Sequence, residues 1–433
     1  MSKKKINIVT LGCSKNVVDS EVLMKQLELG GWELVHDSND PSAKVVVVNT
    51  CGFVADAKEE SVDTIMNFVN AKKNGVIERL YVMGCLSQRY KDELVKEIPE
   101  VDGFYGVSDL PDILKTLENP LFTDCTNQRF ITTPKHFAFL KISEGCNWGC
   151  SYCAIPLIRG KHISKSIDNL VAEAKYLASQ GVKELIVIAQ DSTFYGIDLY
   201  GKRMISDLLN ELSKIDKIEW IRLHYAYPAN FPKDLIETIK NNPKICKYID
   251  IPFQHISDNM LKLMRRGITK SETIEFVETI RKNIPDISIR TTFLVGHPGE
   301  TAEDFKELID FVEKYRFDRV GVFTYSEEEG THAAISMKDN IPQKLKERRS
   351  AELMELQQSI SLANNLKRVG QTLKVIVDSV DEDEIIGRTE YDSPEVDQEV
   401  LLSNPQKRKV NVGDFVNARI ISAQDYDLIG EMI

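Results

Sequence analysis

Three of the chain's eight cysteines, Cys146, Cys150 and Cys153, fall within eight consecutive residues of the stretch EGCNWGCSYC, Glu144 to Cys153. A disulfide uses thiols in pairs, and a closed structural zinc site uses four Cys or His ligands. The nearest histidine downstream, His162, lies nine residues beyond the last cysteine, so the trio reads as an incomplete ligand set. Thiolates hold iron–sulfur clusters, and a four-iron cluster with three protein ligands keeps one iron open. An open position does chemistry; a zinc site completed from elsewhere in the chain is the bland alternative.

A second set carries no local spacing motif. Cys13, Cys51 and Cys85 are 38 and 34 residues apart. Each ends a strand-like run, KINIVTLGC, VVVVNTC or RLYVMGC, and each run is followed by a helical pattern. Three such βα units predict parallel strands in one open α/β sheet, ending on the same edge, where ligands of such sheets sit. Any one of these cysteines reads equally well as a small buried strand-end residue. Their recurrence at three successive strand ends argues for a shared second metal site. Cys125 and Cys246 occupy no such position and read as ordinary thiols.

The elements that must position the first trio follow a loop around Asn127 to Pro134. FAFLKIS, ELIVIAQ, EWIRLHYAY, YIDIPFQ, SIRTTFLVG and RVGVFTYS read as strands alternating with helices. Six βα units predict a parallel, incomplete barrel whose active face lies at the carboxyl ends of its strands. The cysteine loop follows the first strand and so sits on that face, as do QDSTFYG, HYAYP, QHIS and GHPGE. A charged helical stretch from Gln343 leads to Gln371. Beyond it, TLKVIVDSV, EIIGRTE, DFVNARIISAQ and DLIGEMI predict a small antiparallel β-barrel. The expected domains are thus 1–126, 135–369 and 370–433.

The 433 residues are 42% hydrophobic and 28% charged, a globular balance. The segment MSKKKINIVT has neither the apolar length nor the cleavage site of a secretory signal, and no apolar run approaches membrane-spanning length. A cytoplasmic protein with no membrane partner is expected, and there clustered thiols mean metal or catalysis more often than disulfides. The net charge of −11 argues against a nonspecific nucleic-acid coat. Gln371 to Ile433 carries six basic and fourteen acidic residues, a net of −8, so most of the acidity belongs to the tail.

The spacing Cys-x-x-x-Cys-x-x-Cys, with Tyr152 directly before the last cysteine on the first βα loop of a parallel barrel, resembles the radical S-adenosylmethionine superfamily. Together with TLGCSKNVVDSE, VNTCGF and MGCLSQR near the start and a small β domain at the end, the chain resembles the methylthiotransferases over nearly its whole length. The resemblance implies an open parallel α/β sheet domain, a central radical-SAM partial (β/α)6 barrel and a TRAM-like β-barrel. It implies two 4Fe-4S clusters. Cys146, Cys150 and Cys153 would hold the one whose free iron takes S-adenosylmethionine for cleavage to a 5'-deoxyadenosyl radical; Cys13, Cys51 and Cys85 would hold the one that delivers sulfur. Tyr152, Gln190, Asp191, Gly296 and Gly299 stand where the superfamily holds its cofactor, a purely structural turn being the alternative for the two glycines. An external electron donor and a sulfur donor are implied as partners. The chemistry is consistent with this need: replacing an unactivated C–H by C–S–CH3 offers no acidic proton to a base and no leaving group to a nucleophile.

Branches of that family act on an adenosine of transfer RNA or on the β-carbon of an aspartate of ribosomal protein S-12. A domain gripping RNA should be basic, whereas the acidic tail, including DEDE at Asp381 to Glu384, suits a basic protein or the small ribosomal subunit. GRTEYDSPEVD, Gly387 to Asp397, and LGCSKNVVDSE also resemble the ribosomal-protein branch. The expected reaction is therefore methylthiolation of the S-12 aspartate. The alternatives are transfer RNA methylthiolation, with QKRK at Gln406 to Lys409 as a local RNA patch, and a noncatalytic ribosome-binding iron–sulfur protein. His224 and His255 read as hydrogen-bonding residues of the barrel mouth, and Arg265 and Arg266 as salt-bridge or helix-end residues.

Overall fold

The computed structural model describes residues 4–38, 40–381 and 384–433. Glu382 and Asp383 of the acidic DEDE run lie outside the described residues. The first sheet has five parallel strands in the order β2-β1-β3-β4-β5: β1 (Lys5–Thr10), β2 (Glu33–His36), β3 (Val45–Thr50), β4 (Arg79–Gly84) and β5 (Gly103–Tyr105). The run VVVV that opens β3 is apolar because both its faces are covered, as parallel sheets require. Val47 packs with Leu23, Met24, Ile113 and Leu114 of helices α1 (Ser14–Leu29) and α4 (Leu110–Thr116). Val46 and Val48 face Ile65, Val69 and Leu86 of helices α2 (Ala55–Lys73) and α3 (Cys85–Glu97). The cysteine-ending strands β1, β3 and β4 are neighbours in this sheet. The edge strands β2 and β5 carry too short a pattern to be foreseen.

The six barrel strands lie where the sequence places them: β6 (Phe137–Lys141), β9 (Glu184–Ile188), β10 (Trp220–Leu223), β11 (Tyr248–Asp250), β12 (Ser288–Val295) and β13 (Arg319–Thr324). They form two parallel three-stranded sheets, β10-β9-β6 and β11-β12-β13. The halves meet through an Ile221–Ile245 bridge and an Ala226 to Asp250 backbone hydrogen bond of 2.8 Å. A short antiparallel pair absent from the sequence reading, β7 (Ser143–Glu144) and β8 (Ile163–Ser164), pinches the base of the cysteine loop. Helix Gln343–Leu366 closes the barrel's outer layer with Leu353 and Ile360 in its core.

The other two domains complete the barrel. Val18 of α1 packs on Phe137, Phe139, Ile186 and Ile188, so the first domain covers part of the β6–β9 surface. The connector between them is anchored: Arg129 is buried and pairs with Glu21 and Glu173. The last domain is a closed barrel in the order β14-β15-β16-β18-β17, from β14 (Thr372–Val380), β15 (Ile385–Thr389), β16 (Val400–Ser403), β17 (Phe415–Ala423) and β18 (Leu428–Met432). The strand β16 was not foreseen, and its pairing with β18 is the one parallel step in an otherwise antiparallel barrel.

The segment GRTEYDSPEVD packs onto the amino-terminal end of the radical barrel. Arg222 donates to the carbonyls of Thr389 and Glu390, His224 meets Ser393 at 2.9 Å, and Tyr248 donates to Asp397 at 2.8 Å. Glu184 sits between Arg222 and Arg388, 2.8 Å from each. Of the tail's acids, Asp378, Glu390, Asp392, Asp397 and Asp414 are thus engaged by groups of the barrel or its connector. Part of the acidity expected to meet a basic partner is spent inside the molecule.

Glu184→Gln leaves two buried guanidiniums without their shared counter-charge, and such a loss costs about 3–5 kcal/mol. Denaturant unfolding of this variant should show that drop; a change under 1 kcal/mol would mean the junction does not depend on the pair.

Candidate active site

Gly145 opens the cysteine loop at φ +70°, where a Cβ would collide with the Lys161 carbonyl, so the turn requires glycine. Cys146 donates its amide to Gly160 at 3.0 Å, closing the loop at its base. The far side is fixed by Ser151, whose amide reaches the Met264 carbonyl at 3.0 Å and whose hydroxyl meets His297 at 3.1 Å. Trp148 stacks on Tyr227 with centroids 4.0 Å apart and donates to Asp191 at 2.6 Å. The three sulfurs are thereby carried on a loop tied at its base to Gly160 and along its length to Met264, His297, Tyr227 and Asp191.

Arg266 lies against this loop. Its guanidinium is 3.4 Å from the Cys150 sulfur and 3.4 Å from the Tyr152 hydroxyl, and it donates to the Pro252 carbonyl at 2.6 Å. The sequence reading gave Arg266 a salt-bridge or helix-end role; among the described residues it has no carboxylate partner, and its charge faces sulfur. Nothing local in MRRG signals this, because Pro252 and Cys150 are distant in sequence. The Tyr227 hydroxyl also stands 3.6 Å from Cys150.

The other expected cofactor residues divide. Tyr152 is half-buried beside Met260, Met264 and Tyr325. Gln190 is half-buried at the end of β9. Asp191 is fully used in structure: it caps the following turn through Thr193 and Phe194 as well as receiving Trp148. Gly296 and Gly299 have positive φ and pack on Lys346 and Leu263, and the Gly296 amide is capped by Glu300, which pairs with Arg349 at 2.8 Å. The turn alone therefore accounts for both glycines. His224 bonds Ser393, and His255 lies 3.4 Å from Glu300, as hydrogen-bonding residues. Cys125 accepts from Gln26, and Cys246 packs with Trp220 and Tyr248.

At the first sheet's carboxyl edge, Cys13 precedes α1, Cys51 ends β3's loop, and Cys85 begins α3. Helix amino-termini favour anionic sulfur. The loops approach so closely that a Cβ on Gly12 would stand 2.9 Å from the Cys51 Cβ, and one on Gly52 would stand 2.6 Å from the Cys85 carbonyl. Asn16 is buried at the centre and donates to the carbonyls of Leu11 and Thr50, at 2.8 and 3.1 Å, tying the β1 and β3 loops together. Its carbonyl oxygen accepts from Cys85 at 3.7 Å and from Arg159 at 2.7 Å.

Arg159 links the two cysteine sets. It is the last residue of α5 (Ile155–Arg159), six residues after Cys153, and it also contacts Asp19 at 3.1 Å and Glu144 at 2.9 Å. Cys85 packs against Ala154 and Ile158 of the same short segment. Burial pushes the Cys85 thiol up to about 11 against the pull of Arg159, and pushes Cys146 to about 11 and Cys153 to about 12. Ligation would therefore release protons. Among the described residues, no three His, Cys, Asp or Glu side chains converge as a single-ion site requires. Each thiol set has a cationic neighbour, Arg266 beside Cys150 and Arg159 near Cys85, of the kind that tunes metal-bound sulfur.

Residues 140–312 match the radical SAM superfamily, residues 5–106 the uncharacterized protein family UPF0004, and residues 369–433 the TRAM domain. Over 433 residues the chain is 53% identical to the ribosomal protein uS12 methylthiotransferase RimO of Bacteroides thetaiotaomicron, covering 100% of this chain and 99% of that one. The chain belongs to the RimO family. A protein of the same name from Cytophaga hutchinsonii is 52% identical over 431 residues, covering 100% of this chain and 98% of that one. The fold is also shared with the radical S-adenosylmethionine methyltransferase TsrM of Kitasatospora setae, at TM-score 0.57 and 14% identity over 77% of each chain. As a RimO-family member the chain is a radical SAM methylthiotransferase, with S-adenosylmethionine and an iron–sulfur cluster as cofactors. Among the described residues no helix is long and apolar enough to cross a membrane.

Gly52→Ala places a methyl into the Cys85 backbone. The forced separation should lower stability by roughly 1–3 kcal/mol, read from denaturant unfolding of the metal-free protein; an unchanged midpoint would show that the loops are not held in this close contact.

Proposed function

We propose that this protein methylthiolates the β-carbon of an aspartate of ribosomal protein uS12 in the cytoplasm, using two four-iron clusters, one on Cys146, Cys150 and Cys153 and one on Cys13, Cys51 and Cys85. The observation that carries the two-cluster reading is the junction at α5: Cys85 packs on the residue after Cys153, which brings elements of the two thiol sets into direct contact. The substrate reading is supported by relatives named for uS12 along the full chain.

When bound, the barrel cluster supplies the electron and open iron for S-adenosylmethionine, and the other supplies a place for the transferred sulfur. The chain's own residues hold and shape this space. Arg266 offers positive charge to the Cys150 sulfur, and the Tyr227 hydroxyl, which donates to the Arg266 carbonyl at 2.8 Å, holds that residue beside it. Tyr152 and Gln190 would contribute to holding the cofactor, Asp191 orients Trp148 by accepting its indole N–H, and the Gly296–Gly299 turn lets the backbone pass closely. Arg159 fixes the distance between the two thiol sets. An external electron donor and a sulfur donor complete the reaction, and the uS12 aspartate is presented by the free protein or the small subunit.

Anaerobic reconstitution should load about eight irons per chain. Replacing Cys13, Cys51 and Cys85 by Ala should halve that while sparing reductive cleavage of S-adenosylmethionine, and replacing Cys146, Cys150 and Cys153 should abolish the cleavage. Mass spectrometry should find the methylthio group on uS12. Product on transfer RNA adenosine with none on the aspartate would overturn the substrate.

A further inference from the structure

Among the described residues nine Lys and Arg side chains are buried. Seven of them, Arg129, Lys141, Arg159, Arg222, Lys346, Arg349 and Arg388, pair with a carboxylate within 4.0 Å. The remaining two are Arg266, against the Cys150 sulfur, and Lys15. Lys15 is 4% exposed, and its ammonium lies 3.0 Å from the centroid of the Tyr225 ring, with no hydrogen bond or ion pair to any described residue. A ring face offsets only part of the cost of desolvating an ammonium. The nearby Asp250 feels the Lys15 charge, but its carboxylate is held by the Tyr225 amide at 3.1 Å and faces Arg290 at 4.0 Å.

The position is built. Tyr225 has φ +58°, a backbone conformation rare for an aromatic residue, and Ser192 secures its carbonyl through both amide and hydroxyl, at 3.0 and 3.1 Å. Strain of this kind persists where the surroundings enforce it, and it clusters at functional sites. Tyr225 follows the carboxyl end of β10 and is two residues before Tyr227, which stacks on Trp148 of the cysteine loop. Lys15 itself is two residues after Cys13 and adjacent to Asn16. Lys15 is therefore a buried, uncompensated cation that the first domain presents to the residue following the carboxyl end of β10, close in sequence to one thiol set.

We propose that Lys15 is the specificity-determining cation that receives the carboxylate of the substrate aspartate. The proposal rests on the protein-aspartate reading above. The carboxylate is bonded to the reacting β-carbon, so anchoring it places that carbon one bond from the contact. A neutral base would leave the ammonium without a counter-charge.

The test uses the reconstituted full-length enzyme and a synthetic peptide of the aspartate-bearing loop of uS12, beside its twin with Asn at the target. Equilibrium binding should favour the Asp peptide by about tenfold or more, the scale of a charge-assisted hydrogen bond. Lys15→Met should bring the Asp peptide down to the affinity of the Asn peptide while leaving the latter's own affinity unchanged, and Lys15→Arg should keep most of the preference. Lys15→Gln replaces the Met variant if circular dichroism shows that one unfolded. Equal binding of the two peptides by the natural enzyme, or an Asp preference surviving in a folded neutral variant, overturns the role of Lys15. Failure of the natural enzyme to methylthiolate uS12 would instead overturn the substrate reading, and the two failures are read in separate measurements.

Discussion

The arrangement of this molecule turns on one buried guanidinium. Arg159 reaches from the end of the cysteine loop to Asn16 and Asp19 of the first domain and back to Glu144 at the loop's own start. A buried charge is tolerable only when its donors are satisfied, and here they are satisfied by groups from two domains at once. Any rotation of one domain against the other would strip Arg159 of part of its shell. The same contact holds Asn16, which pins the loops after β1 and β3. The geometry of both thiol sets and the separation between them thus follow from a single interaction that neither domain makes alone.

The opposite end of the barrel is governed by similar physics with a different result. Glu184, Arg222 and Arg388, with Asp392 and Asp397 nearby, fill the amino-terminal mouth with charges that cancel inside the molecule. Such networks contribute less to stability than to fixing one arrangement. The C-terminal domain is therefore a plug as well as an appendage: its β15 and the turn after it are part of the barrel's interior. Its exposed basic run is partly folded back as well, since Arg408 donates to the terminal Ile433 carbonyl at 2.5 Å.

What the sequence made legible is what periodicity and topology carry. The strands ending at Cys13, Cys51 and Cys85 are long, apolar and each followed by a helix, so their adjacency follows from the rules of parallel sheets. The edge strands β2 and β5 and the four-residue β16 are too short to stand out from their surroundings. Arg266, Arg159 and Lys15 were not singled out as site residues because their meaning lies in partners distant in sequence: Cys150, Asn16 and Tyr225. Asp191 was singled out for its place at a strand end, and its carboxylate proves to be occupied by a turn and by Trp148. Position at the active face is readable from topology; which atoms remain free there is not.

The same distinction bears on how charge selects a partner. A net charge of −11 is a sum over residues, many of which neutralise one another within hydrogen-bonding distance and project no field outward. Screening at physiological ionic strength confines the remainder to about 8 Å. What a ligand meets is the local imbalance, and among the described residues two buried cations, Arg266 and Lys15, stand without carboxylates. An acidic protein can in this way hold a site selective for an anion, because recognition depends on the few groups the fold leaves uncompensated and not on the total they are drawn from.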